Sequence, residues 1–212
     1  MLSPAGPSAA LVAQLWWAML AGAAVLTVLV LTLVALGFRK PAARTPAPRF
    51  WALGMGVAMP LTVLTVLVGA GLWMGEHMQA RPGPDVVTVQ AQARRWAWQF
   101  VQPGPDGQRI TTENVLFIPA GQPVHVEITS EDVIHSFWVP RLGGKMDAIP
   151  GHRNVLRIQA DAPGRYEGMS AEFSGGHYAS MRFVVQAYAP QQPPDISAQA
   201  LARPQSSNRE VR

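Results

Sequence analysis

Two stretches of this chain carry no charge at all. Residues 9–37, AALVAQLWWAMLAGAAVLTVLVLTLVALG, run for 29 positions, and residues 50–74, FWALGMGVAMPLTVLTVLVGAGLWM, for 25. About 20 apolar residues cross a bilayer as a helix, and a helix is what satisfies the backbone where no water is present. The spacing therefore predicts a transmembrane hairpin with helices over about 9–37 and 50–74. Pro60 lacks an N–H donor and is expected to kink the second helix. The first run is read as a retained helix and not a cleaved signal, because its apolar core is long and no Lys or Arg precedes it. The connection FRKPAARTPAPR, residues 38–49, holds four positive and no negative charges, which places it on the cytoplasmic side. Both termini, and everything after about residue 75, then face the periplasm or its equivalent.

That topology explains the basic balance of 17 Lys and Arg against 13 Asp and Glu. Residues 78–189 hold ten of each, so the excess lies in the membrane region and the tail. A nucleic-acid surface would cluster Lys and Arg on one domain face, and no such cluster exists to argue for one. The sequence has no cysteine, so a disulfide framework is excluded and the outer domain must be held by its core.

From Asp85 the apolar period changes from helical to alternating. The segments VVTVQAQA, RWAWQFV, NVLFIP, PVHVEIT, NVLRIQA, GRYEGMS and MRFVVQAYA each fit a short strand, with PGPDGQ, AGQ, GGK, PGH, DAPG and SGG as turns between them. Seven such strands predict an antiparallel sandwich or barrel. The domains expected are a helical hairpin over 1–77, the β domain over 78–189, and a flexible tail over 190–212 rich in Pro, Gln and Ser.

Within the β domain four motifs occur in order: WAW (96–98), HSFWVP (135–140), KMDAIPGH (145–152) and GMSAEFSGGHYASM (168–181). Together with the two helices they resemble subunit II of the haem-copper respiratory oxidases, over roughly residues 10–189. The resemblance implies a cupredoxin-like Greek-key β domain. In the cytochrome c oxidases of that family the last loop reads Cys-x-Glu-x-Cys-x-x-x-His-x-x-Met. With the His of HSFWVP it holds CuA, a two-copper centre that takes electrons from cytochrome c. Here Ser170 and Ser174 stand at the cysteine positions, and Tyr178 at the histidine position with His177 one residue early. His135, Glu172 and Met181 match.

Thiolate is a soft bridging ligand, whereas a serine hydroxyl is hard and stays protonated near neutral pH. A copper pair is therefore not expected on this loop. A single copper on His135, His177 and Met181 is the alternative, against their being remnants in a copper-free loop. The serine pattern resembles the quinol oxidase branch, which lacks CuA because quinol delivers electrons from the membrane to subunit I. DAIPGH and Glu172 look more like the cytochrome c branch.

The resemblance also implies roles for other residues. Glu172 would contribute to a Mg²⁺ site at the boundary with subunit I, for which a carboxylate is a suitable hard ligand. Trp96 stands where the family receives electrons from cytochrome c. Without CuA behind it, Trp96 is expected to pack, as is Trp98. Arg141 and Asp147 are expected to make polar contacts within the loops or to the core subunit. Glu76 and His77 fit a membrane-interface position, as do Trp16 and Trp17, with Met55, Met59 and Met74 facing lipid or packing.

The reading is a non-catalytic subunit of a proton-pumping terminal oxidase in a bacterial inner membrane, with haems and CuB in subunit I and with subunit III as a further partner. Quinol, bound mainly by subunit I, is the favoured donor. One alternative is a cytochrome c oxidase whose electrons bypass CuA through a haem-c subunit. Another is a membrane-anchored copper-binding or assembly protein.

Overall fold

The computed structural model describes residues 3–39, 47–80, 86–104, 107–194 and 196. Most of the basic connection over 38–49, part of the PGPDGQ turn and most of the tail over 190–212 lie outside the described residues. Within the tail, Ile196 is described and is buried.

The chain divides into two compact units. One is helical, Val12–Gln79; the other takes the β domain from Ala80 onward together with the first eleven residues. Helix α1 spans Pro7–Gly37. The second apolar run forms a π-wound segment, Phe50–Ala58, continued by α2, Met59–Met78. At that junction the Met59 N–H donates to the Gly54 carbonyl five residues back. Pro60 follows in the first turn of α2, so the winding changes where the backbone donor is missing. None of the described residues of these helices is buried within the chain, and large apolar side chains such as Val25, Leu31, Val66 and Leu72 are exposed. Apolar side chains all round a helix fit a lipid surrounding. The hydroxyls of Thr27, Thr32, Thr62 and Thr65 each donate to the carbonyl four residues earlier at 2.7–2.8 Å, which satisfies them without water.

Among the described residues the β unit contains ten strands: β1 Val87–Arg94, β2 Ala97–Pro103, β3 Arg109–Glu113, β4 Val115–Pro119, β5 Val124–Ser130, β6 His135–Trp138, β7 Met146–Ala148, β8 Asn154–Ile158, β9 Gly164–Ser170 and β10 Arg182–Tyr188. They form two five-stranded sheets, in order β3-β2-β1-β5-β8 and β4-β10-β9-β6-β7. The sandwich expected from the strand pattern is present, with β3, β6 and β7 added to the seven segments read from the sequence. The expectation of a purely antiparallel sandwich is corrected, since β1 pairs with β5 and β4 with β10 in parallel. Apolar alternation sets which face is buried and carries no information on strand direction.

Small residues on β1 make room for large ones on β2. Ala93 lies opposite Trp98 and Ala91 opposite Phe100 in the register, and all four are buried. Trp98, Phe100, Phe137 and Phe183 form one ring cluster with centroids 4.7–6.4 Å apart. Gly168 faces Phe183 across β9 and β10; a Cβ there would come within 2.3 Å of the ring, so only glycine admits this packing.

Candidate functional site: the loop between β9 and β10

The loop is sewn to its neighbours by backbone bonds. The Ser170 N–H donates to the Met181 carbonyl at 3.0 Å, and the Ala171 N–H to the Ser136 carbonyl at 2.9 Å. A short 3-10 turn, Tyr178–Ser180, follows, in which the Ser180 hydroxyl donates to the His177 carbonyl at 2.7 Å. This closure drives four side chains inward: His135 and Met181 are fully enclosed, and Ser170 and Ser174 are buried. His177 stays exposed and Tyr178 half-buried, its ring 5.3 Å from that of Phe173, which is 74% exposed. Of the candidate single-copper ligands, His135 and Met181 therefore sit in the core while His177 sits outside.

Trp96 packs on the same loop. Its ring meets His177 edge to face at 5.7 Å. Gly175 has φ +128°, and a Cβ there would come within 2.7 Å of the indole, so the turn and the close approach both require glycine. Trp98 is buried with its ring 6.4 Å from that of His135.

The site's marked electrostatic feature is Asp132, a residue outside the motifs. His135 Nε2 donates to Asp132 Oδ1 at 2.8 Å. Asp132 also accepts the Val133 N–H at 2.6 Å and the Arg95 N–H at 2.9 Å. Burial raises the Asp132 carboxyl, but these donors together outweigh it and hold the group down from 3.8 to about 2. The other ring nitrogen of His135, Nδ1, is buried with no hydrogen-bond partner among the described residues. The sequence signal was a carboxylate three residues before the histidine, in EDVIH.

A depressed carboxylate stabilises the fold above its unfolded value and loses that contribution as pH falls through its folded value. Asp132→Asn is therefore expected to destabilise the full chain by about 1–2 kcal/mol at neutral pH. The gap should close between pH 4 and 2 in thermal melts; a gap that stays constant across that range contradicts the assignment.

The donors do not fit CuA. Both bridging positions carry hydroxyls, and the sequence offers no thiolate anywhere. Among the described residues no three His, Asp or Glu side chains gather as a metal site. Glu172 is part-exposed and lies 3.4 Å from Lys145 Nζ. Arg141 Nε donates to the Ser3 carbonyl at 3.1 Å, a contact inside the β unit, while the Asp147 carbonyl accepts from Asn154 Nδ2 at 2.7 Å. In the helical unit, His77 Nδ1 turns back onto the Trp73 carbonyl at 2.8 Å.

The chain thus combines a two-sheet β domain carrying this loop with two helices long and apolar enough to cross a membrane. Residues 101–188 match the family model described as cytochrome c oxidase subunit II, periplasmic domain. The chain is 30% identical over 133 residues to cytochrome c oxidase subunit 2 of Alkalihalophilus pseudofirmus, covering 63% of this chain and 38% of that one. It is 37% identical over 120 residues to cytochrome bo(3) ubiquinol oxidase subunit 2 of Pseudomonas aeruginosa, covering 57% and 35%. It is 41% identical over 101 residues to quinol oxidase subunit 2 of Bacillus cereus, covering 48% and 34%. The match thus spans less than half the length of each of these relatives. In fold, the chain is similar to a chain of a haem-copper terminal oxidase dimer solved by cryo-electron microscopy (TM-score 0.50, 21% identity, 65% of this chain and 99% of that one). Over residues 101–188 the chain is thus similar to the periplasmic domain of oxidase subunit II.

Proposed function

We propose that this chain is a non-catalytic subunit of a proton-translocating terminal oxidase, that it carries no CuA, and that its enzyme is fed by quinol. The single observation that carries the reading is the pair of buried hydroxyls, Ser170 and Ser174, at the two positions where copper needs sulfur. Subunit I holds the haems and CuB and binds the quinol, subunit III completes the complex, and the β domain is a roof on the periplasmic side of a bacterial inner membrane. The chain crosses that membrane twice, with both termini outside. The similarity to the ubiquinol and quinol oxidase subunits supports this branch. The test is donor specificity of the purified complex.

One observation favours a second reading. The similarity to a cytochrome c oxidase subunit 2, over the longest of these matched stretches, supports cytochrome c or a haem-c subunit as donor by a route around this loop. A copper-binding or assembly role resting on His135, His177 and Met181 gains no support from an arrangement that leaves His177 exposed against Trp96.

Glu172 is proposed as this chain's ligand to Mg²⁺ shared with subunit I. Its oxygens are of the right hardness and within reach of solvent, and Lys145 occupies them otherwise. The remaining ligands come from water and the partner chain. Glu172→Ala is expected to lower Mn²⁺ incorporation into the assembled complex; an unchanged Mn²⁺ resonance argues against the site.

A further inference from the structure

The segment Ser3–Gly6 is folded into the β unit. Ala5 is held on both sides: its N–H donates to the Arg141 carbonyl, and its own carbonyl accepts the Asp161 N–H, each at 2.9 Å. Arg141 reaches back with Nε to the Ser3 carbonyl at 3.1 Å, while its guanidinium carbon lies 5.4 Å over the Tyr166 ring. Ala5 packs against the core, and Gly6 is buried. A Cβ on Gly6 would stand 2.1 Å from the Gln159 carbonyl oxygen and 3.2 Å from that of Leu142, both backbone atoms that cannot swing aside. The Gly6 carbonyl in turn accepts the Ala10 N–H at 3.0 Å, so α1 starts directly from the docked segment.

The local sequence, SPAGP, suits this use. Pro4 and Pro7 restrict the residues before them to extended backbone, and Pro7 supplies a favoured first helical residue. A segment stiffened in this way loses less entropy on docking than a flexible one.

We propose that Ser3–Gly6 is a latch: a peptide that fills a groove between the Arg141–Gly143 loop and the Gln159–Asp161 turn of its own β domain. The groove recognises a short extended peptide with a small residue followed by glycine. The chain's own N-terminus is its occupant. The latch gives the β unit a second covalent connection to the helical unit, at residues 11 and 12, besides the one at residues 79 and 80. It rests on the reading above only in that it requires the N-terminus to lie on the same side of the membrane as the β domain.

The absence of cysteine makes a clean test available. A Cβ built on Gly143 lies 3.7 Å from the Ser8 Cβ, close to the spacing found in disulfides. Gly143 is not among the positive-φ residues, so a side chain is tolerated there. In the full chain in its membrane, Ser8→Cys with Gly143→Cys is expected to form an intramolecular disulfide. Diamide would take up the two electrons and two protons released, and maleimide reactivity would be lost. Adding Gly6→Val to the pair should abolish the cross-link.

Ser3→Cys alone, at an exposed position, reports the side of the membrane by its reaction with an impermeant maleimide. If Ser3→Cys reacts from the outer side and the cysteine pair stays as two free thiols, the latch is overturned and the orientation stands. Reaction of Ser3→Cys only from the inner side overturns both. Should the pair accumulate poorly, the rate of tryptic cleavage after Arg141 decides. Gly6→Val should raise that rate, and an unchanged rate overturns the latch.

Discussion

Given ubiquinol, the purified complex is expected to consume O₂ rapidly; given reduced cytochrome c, it should show no rate above background. The reason is local. A water-soluble donor needs a metal within reach of the outer surface, and the loop that would hold one presents Ser170 and Ser174 inward and Tyr178 in place of an imidazole. Hydroxyls of ordinary acidity do not give a copper pair the soft, anionic bridges that hold its charge and position. Trp96 still packs against the loop, but its nearest aromatic neighbour is His177, 5.7 Å away and exposed. Under the proposed function an electron arriving there meets no copper centre behind Trp96. Under the same reading a membrane-soluble donor delivers directly to subunit I, and the loop needs no metal. Rapid cytochrome c oxidation with negligible quinol oxidation would reverse the assignment and favour the haem-c route.

Much of the molecule was legible in the sequence for identifiable reasons. The two apolar runs locate the long helices because a bilayer span imposes length and the absence of charge together. Seven of the ten strands follow from alternation, since Val89, Ala91 and Ala93, or Val124, Val126 and Ile128, must share one buried face. The strands missed are of two kinds. Arg109–Glu113 is a largely exposed edge with little apolar content, and His135–Trp138 and Met146–Ala148 are too short to show alternation. Parallel pairing of β1 with β5 joins residues far apart in sequence, which no local pattern encodes.

The candidate loop was legible as a list of residue types, because the ligand positions are a spacing. Their burial was not. Nothing local distinguishes enclosed His135 from exposed His177, and the difference follows from β6 lying against β9 while the 3-10 turn faces outward. Asp132 went unread because its significance is relational: a carboxylate becomes informative only when the histidine ring and two backbone N–H groups are seen to converge on it. The N-terminal latch went unread for the same reason, since SPAGP acquires meaning only beside Arg141 and Asp161.

Copper added to this polypeptide is expected to form no mixed-valence pair. Two bridging thiolates allow two coppers to share one unpaired electron, and their replacement by hydroxyls removes the short, covalent bridge on which that sharing depends. His135 keeps a buried Nδ1 and an orienting carboxylate, and Met181 keeps its place, so the loss rests on positions 170 and 174 together with the imidazole replaced by Tyr178. The most direct measurement is electron paramagnetic resonance of the full chain after exposure to copper and of the purified complex as isolated. The expected spectrum contains no hyperfine pattern of an electron divided equally between two copper nuclei. Observing that pattern from this chain would contradict both the metal-free loop and the quinol-fed enzyme built upon it.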